Sequence, residues 1–444
     1  MVEKIKLSFF VILALCIFSQ SFKAEESVSS NLWGFDKTYG NNGIVDVGGI
    51  YPFEGEYTAQ LKLRMSYLSE DDQLTVLAVA MKDQPNHIYT VQPAIFWLDQ
   101  NGKLNGSYVI TQTNLLAQPF SSPIWVGFQS KGNAILRDNY QFPFDLKTQM
   151  PFKWSPDVKL QQSTFQVLSN DTILSINDEP LESSVDTIQI ISNTGNSILE
   201  TALLGHQAGT NIIHPNSNAI TRHAPYQLDP CLEVYDRQGA LLKTLVVSNT
   251  PVYRPTRCNI SLIKPHTDGG FIWVELGEQP SLTPTFDDFE DRSTGGVALI
   301  PGGMLRRTDK NFNLDSYFDR CTPESCPCFN ITGNYFDYAI QKDGKYVIGN
   351  MAVVEGQPKT SWPLEITRCN SDGSYDMSFG SNGRMVAFGV GGWGFILRLQ
   401  SDGKILVLSN LYLDPPSYSY HNAVRVMRFA PITATKQTFL PMVR

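Results

Sequence analysis

The pattern that recurs along the chain is a short apolar run ending in a polar turn. Ile95-Phe96-Trp97-Leu98 stops at Asp99-Gln100-Asn101-Gly102, Leu232 to Tyr235 stops at Asp236-Arg237-Gln238-Gly239, and Met304 to Arg307 stops before Asp309-Lys310-Asn311. An Asp or Asn that opens such a turn bonds its own backbone two residues on, and a glycine closes it. Runs bounded this way predict short strands. Further markers of the same kind fall at Asp145, Asn193, Asn370-Ser371-Asp372-Gly373 and, in degraded form, Ala430. A second landmark precedes each marker: a turn that runs into another apolar strand. It is clear at Asp402-Gly403-Lys404 and Asp343-Gly344-Lys345, good at Asp268-Gly269-Gly270, and looser near Asn133, Asn170 and Asp72. Two landmarks in a fixed order along the whole chain define a repeat protein, with its weakest copies in the middle.

One longer copy is sharper. Phe35-Asp36-Lys37-Thr38-Tyr39-Gly40-Asn41-Asn42-Gly43 repeats as Tyr375-Asp376-Met377-Ser378-Phe379-Gly380-Ser381-Asn382-Gly383. Gly40 and Gly380 suit a positive φ that a side chain would resist. Asn42-Gly43 and Asn382-Gly383 are hairpin signals, because a type I′ turn needs φ > 0 at both positions. The two aromatics lie four apart, so on an extended strand they are expected to face one side.

Units of roughly 45–60 residues holding about four short strands predict an all-β chain folded as a single β-propeller. Seven markers give seven blades, with six or eight blades or a β-solenoid as alternatives. The N-terminal copy holds only the turn and one strand, and the C-terminal unit stops soon after its marker. Together they would complete one unit. A ring closed by pairing the N- and C-terminal strands would also hide sheet edges.

The stretch 363–408, with Gly-Ser-Tyr-Asp-x-Ser-Phe-Gly-x-Asn-Gly followed by Gln-x-Asp-Gly-Lys-Ile, resembles the bacterial delta-60 repeat. The likeness is good over about 300–430 and 33–47, and faint over 70–110 and 230–275. Tyr375 stands where Leu is usual, and Asn311-Phe312 replaces the turn glycine. The resemblance implies a propeller-like β protein, exported and found on bacterial surfaces. It brings no catalytic residues.

Residues 1–24 read as a secretory signal peptide: Lys4 and Lys6, an apolar run from Leu7 to Phe18, then Ser19-Gln20-Ser21. That leaves 30–444 as the propeller, secreted, periplasmic or at the cell surface, with no membrane segment after cleavage. Cys231, Cys258, Cys321, Cys326, Cys328 and Cys369 then form an even set, expected to pair as disulfides. The closely spaced trio at 321, 326 and 328 reads as a loop staple rather than a zinc site, since no His lies nearby.

A formal charge of −8 with no Lys/Arg cluster disfavours nucleic acid or anionic membrane as a partner. The six His residues are scattered, and neither a Gly-x-Ser-x-Gly turn nor a phosphate-cradling glycine loop occurs. The acidic run Phe286 to Asp291 gives a weak calcium candidate in Asp287, Asp288, Glu290 and Asp291, against the plainer reading of a solvated loop. No other cofactor is implied. The reading favours a monomeric, non-enzymatic scaffold that binds a protein or glycan through loops at one end of the ring. A secreted glycan hydrolase or lyase with carboxylates at the central channel is the alternative, and a structural surface protein the third.

Overall fold

The computed structural model describes residues 32–47, 59–84, 88–109, 260–266, 268–276, 303–331, 336–351, 363–387, 395–412 and 422–432, with short strand segments between 124 and 245. The signal-peptide reading of 1–24 falls outside these residues. The all-β expectation holds. Apart from one helical turn, α1 (Ser316–Asp319), and a 3-10 turn (Pro327–Phe329), the regular structure of the described residues is strand.

Strands β1 (Leu32–Phe35) and β2 (Ile44–Val47) come first. Next, β3 (Ala59–Leu68), β4 (Leu74–Gln84), β5 (Ile88–Leu98) and β6 (Leu104–Val109) pair in chain order as an antiparallel sheet. Two hairpins follow, β7 (Ile124–Phe128) with β8 (Ala134–Arg137), and β9 (Phe144–Asp145) with β10 (Met150–Pro151). A four-stranded sheet is then made by β11 (Ser163–Val167), β12 (Ile173–Asn177), β13 (Val185–Ile191) and β14 (Ser197–Leu204). Another is made by β15 (Thr210–Ile213), β16 (Ala219–His223), β17 (Leu232–Asp236) and β18 (Leu241–Leu245). The next comprises β19 (Ile260–Pro265), β20 (Phe271–Leu276), β21 (Gly303–Arg307) and β22 (Asn330–Ile331). It is followed by β23 (Phe336–Ile340), β24 (Tyr346–Met351), β25 (Leu364–Cys369) and β26 (Arg384–Ala387). The last sheet has β27 (Phe395–Leu399), β28 (Ile405–Tyr412) and β29 (Asn422–Ile432), and β29 pairs on its far side with both β1 and β2.

Where the turns are among the described residues, the two sequence landmarks are the two hairpins of a four-stranded sheet. The Asp-Gly-Lys turns join first to second strands, as between β27 and β28, and the marker turns join third to fourth strands, as between β25 and β26. In an up-and-down sheet those two hairpins share one end. That end is therefore built of tight, side-chain-locked turns. The acidic run Phe286 to Asp291 lies outside the described residues.

Alternation along each strand packs the sheets face to face. On β28, Leu406 and Leu408 join Leu61, Val76 and Phe96 of the β3–β6 sheet, while Ile405 and Val407 join Val347, Ile366 and Phe379 of the β23–β26 sheet. On β29, Val424 and Val426 face the first side, Met427 and Phe429 the second. A third cluster bridges the β19–β22 and β23–β26 sheets through Ile272, Val274, Tyr338 and Tyr346. First strands adjoin first strands: β23 lies against β27, β27 against β3, β3 against β7, and β7 against β11.

Two expectations are corrected. Ala430 opens no turn, because β29 continues through it to pair Ala430 with Gly34 of β1. Nor is Asp36 to Tyr39 extended. Asp36 Oδ1 accepts the Thr38 N–H at 2.9 Å and its hydroxyl at 2.6 Å, which folds the chain into a turn closed by Tyr39 N–H on the Asp36 carbonyl at 3.0 Å.

Candidate functional site

The conspicuous Asp module proves to be a lock for the sheet. Asp376 accepts Arg368 Nε at 2.7 Å and the Ser378 hydroxyl at 2.7 Å, while Lys345 Nζ stands 3.0 Å away. The Arg368 guanidinium lies 4.9 Å from the centre of the Phe379 ring. At the chain termini the same parts recur: Arg428 Nε is 3.0 Å from Asp36, Lys404 is 3.6 Å from it, and Arg428 lies 4.5 Å over Tyr39. A third copy escapes the sequence reading. Asp315 caps α1 by accepting the Tyr317 N–H at 3.0 Å, accepts Arg307 Nε at 3.0 Å, and Arg307 lies 5.0 Å over Phe318. Its legible signal was the Asp-Ser-Tyr-Phe run eight residues after an Arg, masked by the cysteine-rich segment that interrupts the motif beyond Phe318.

Burial alone would raise the Asp376 carboxyl, but the Ser378 hydroxyl, Lys345, the Ser378 N–H and Arg368 outweigh it and hold it far below the ordinary aspartate range. Asp36 is held low by the same balance, with burial opposed by Thr38, Arg428 and Lys404. Both carboxyls are thereby charged at neutral pH and serve as structural anchors.

The turn positions behave as local geometry demands. Asn42 and Gly43 have φ of 54° and 93°, Asn382 and Gly383 53° and 83°, so both hairpins place two successive residues in the left-handed region. Gly40, Gly102, Gly373, Gly380 and Gly403 also carry positive φ. Asp99 Oδ1 accepts Asn101 and Lys103 N–H groups at 2.8 and 2.9 Å, Asp236 accepts Ala240 at 2.8 Å, and Asp402 accepts Lys404 at 3.1 Å. Gly239 lies outside the described residues.

Cys321 bonds to Cys326, and Cys328 to Cys369. The first closes a small loop after α1. The second ties that segment to the end of β25 in the neighbouring sheet, where Phe329 and Cys326 pack against the Gly373 turn. Cys231 and Cys258 lie outside the described residues, as do the calcium candidates Asp287, Asp288, Glu290 and Asp291. Among the described residues no group of three His, Cys, Asp or Glu side chains could hold a metal ion. No helix among them is long and apolar enough to cross a membrane.

Chemistry outside the turns concentrates on the first strands. Asp337 of β23 accepts Lys264 of β19, accepts the Leu397 N–H of β27 at 2.8 Å, and stands 3.7 Å from Arg398. Arg398 in turn donates to the Ser66 carbonyl of β3 at 3.1 Å. One polar chain thus links four successive sheets along their first strands, and it satisfies an edge N–H that would otherwise be unpaired. Burial pulls the Lys264 ammonium down from its usual value, against the attraction of Asp337.

Arg398 also borders a cleft of about 1070 Å³ at the turn end. The ends of β3, β23 and β27 and their turns form its walls, with Tyr67 as the aromatic residue among them. Four carboxylates border it. Asp72 accepts the Ser401 N–H and hydroxyl at 2.8 and 2.6 Å, Asp402 pairs with Lys404 at 2.7 Å, Asp343 accepts Lys345 N–H at 3.2 Å, and Glu70 is exposed.

No protein-family model matches the chain, and no curated protein matches it. Among solved structures it is similar to the β-propeller domain of the Trilobed protease from Pyrococcus furiosus, at 10% identity and a TM-score of 0.41, over 83% of this chain and 95% of that one. It is also similar to a member of the DUF4221 family from Bacteroides vulgatus, at 11% identity and a TM-score of 0.39, over 91% of this chain and 100% of that one. Likenesses this distant bear on neither activity nor ligand.

Proposed function

We propose that the chain is an exported, non-enzymatic scaffold: a seven-bladed β-propeller of the delta-60 repeat kind that binds a protein or glycan at the end carrying its tight turns. Support for the ring comes from first strands that adjoin one another and from a last sheet whose fourth strand, β2, comes from the N-terminal end. Export fits the two disulfides, which persist in oxidising compartments.

The observation that carries the non-enzymatic reading is the state of the carboxylates around the cleft. A two-carboxylate glycosidase needs one acid kept protonated opposite one charged group. Here three of the four bordering carboxylates are occupied by turn or cross-sheet contacts with Lys345, Ser401 or Lys404. The test is to incubate the purified chain with soluble polysaccharides and measure new reducing ends and unsaturated products, with binding followed by gel retardation. Retardation without product is the expected result. Product formation abolished by Glu70→Gln or Asp343→Asn would establish the hydrolase or lyase instead.

A further inference from the structure

We infer that the turn-end cleft seats an extended, basic segment of a partner polypeptide, held by main-chain groups of Leu68, Ile340 and Leu399 and by an acidic rim. This rests on the binding-scaffold reading above and names the partner's chemistry. The three residues end β3, β23 and β27, the first strands of three adjoining sheets, and each is half-buried on the cleft wall. In an antiparallel pair, successive residues turn their N–H and C=O alternately toward the partner strand and away from it. The next residue along bonds inward in each case: Ser69 N–H to the Gln73 carbonyl at 2.9 Å, Gln341 to Lys345 at 2.8 Å, and Gln400 to Lys404 at 2.9 Å. Leu68, Ile340 and Leu399, opposite Leu74, Tyr346 and Ile405, therefore direct both main-chain groups off the sheet edge.

Two residues deeper, the equivalent edge positions are closed by side chains. Asp337 accepts the Tyr338 and Leu397 N–H groups, each at 2.8 Å, and Lys264 donates to the Tyr338 carbonyl. Arg398 donates to the carbonyls of Leu397 at 2.8 Å and Ser66 at 3.1 Å. At the mouth, Leu68, Ile340 and Leu399 have no partner off the edge among the described residues. A donor and an acceptor on one residue, offered three times, match the alternating groups of an extended chain. Water serves such groups at an open cleft until a chain replaces it, so the exchange leaves none unpaired. Because the deeper positions are closed, the segment must cross the mouth from edge to edge rather than lie along one strand. Packed sheets stand about 10 Å apart, so three edges span about 20 Å, the reach of roughly six or seven extended residues. The rim sets the charge: Glu70, Asp72, Asp343 and Asp402 outnumber Lys342 and Arg398, and the Arg398 guanidinium is already committed. Lys or Arg side chains on the segment complement that rim, whereas acidic chains are repelled.

The experiment is calorimetric titration of the full chain with end-blocked heptapeptides, Lys alternating with Thr or Glu alternating with Thr. Two further Lys forms are N-methylated at the Thr or at the Lys residues, and a linear glucose hexasaccharide represents the other ligand class. Amide exchange is followed in each complex. The expected result is binding of the Lys peptide, with the Glu peptide and at least one N-methylated form about tenfold weaker. Glu70 is exposed, so Glu70→Gln should melt at the wild-type temperature and weaken the Lys peptide about threefold. The amides of Leu68, Ile340 and Leu399 should exchange more slowly in the complex. Equal binding of the Lys and Glu peptides, or of all three Lys forms, overturns recognition by charge and main chain. Binding that leaves those three amides unprotected overturns the cleft assignment. Binding of the hexasaccharide but not of the Lys peptide overturns the ligand class and leaves the scaffold reading standing. Cleavage of a peptide during titration overturns the scaffold reading itself.

Discussion

Arg428, near the end of the chain, and Asp36, near its start, meet at 3.0 Å with side chains only 4% and 8% exposed. The geometry repeats that of Arg368 and Asp376 within one sheet, down to the Asp N–H bonding the Arg carbonyl at 2.8 Å in one case and 2.9 Å in the other. Removing one member of such a pair leaves a buried charge uncompensated. Asp36→Ala should therefore cost about 3 kcal/mol in urea unfolding. The neighbouring pair Arg425–Asp46 joins β29 to β2 but leaves Asp46 38% exposed, and Asp46→Ala should cost under about 1 kcal/mol. Equal losses from the two variants would mean that burial of the pair is irrelevant to its strength.

Acid should weaken the fold through the same module. Asp376 has its folded carboxyl held far below the ordinary aspartate value of 3.8. A depressed folded value contributes stability that is fully present above the unfolded value and is lost as the pH falls through the folded one. Asp376→Asn keeps the shape and removes the titration. The variant should be less stable than the wild type at pH 7, and the gap in urea midpoint should narrow steadily below about pH 4. A gap that stays constant down to pH 2 would assign the loss to packing rather than to charge.

The two disulfides differ in what they close. Cys328 and Cys369 are 41 residues apart in sequence, Cys321 and Cys326 only 5. By the loop-entropy relation, removing the longer link should cost about 4 kcal/mol and the shorter about 2 kcal/mol. Guanidinium unfolding of the two double Cys→Ala variants gives the order. The longer link also joins two sheets, so its loss should loosen the Gly373 turn, seen as faster exchange of the amide at position 328, whose N–H bonds the Gly373 carbonyl at 3.2 Å in the intact protein.

Much of the fold was legible because hairpin turns demand particular residues. Gly43 and Gly383 sit at φ of 93° and 83°, where most side chains are strained, so the sequence there has little freedom. The Ala430 marker misled for a topological reason: a strand that pairs with the other end of its own chain needs no turn, yet its apolar run looks like any other. Asp315 was missed because a capping Asp followed by a helical turn lacks the glycine and Asn-Gly that announce the other two copies. The cleft was hidden altogether. Its walls come from three segments far apart in sequence, Ser66 on β3, Gln341 just after β23 and Arg398 on β27, and nothing in their local sequence sets them apart.

The N-terminal strands should be indispensable for a reason the register makes specific. β29 pairs Val424 to Met427 with Val47 to Ile44, and Phe429 to Ile432 with Phe35 to Leu32. Without residues 32–47 that edge loses its ladder, Arg428 loses Asp36, and the ring of Tyr39 no longer covers the guanidinium. An uncovered apolar edge of this length is a template for other chains. A chain lacking residues 32–47 should therefore aggregate or lose its cooperative thermal transition. A synthetic peptide spanning 30–47, added in trans, should restore the transition by strand addition, whereas the same peptide with Asp36→Ala and Gly43→Val should not. A truncated chain that stays monomeric and melts at the wild-type temperature would show that β1 and β2 merely decorate a sheet already complete.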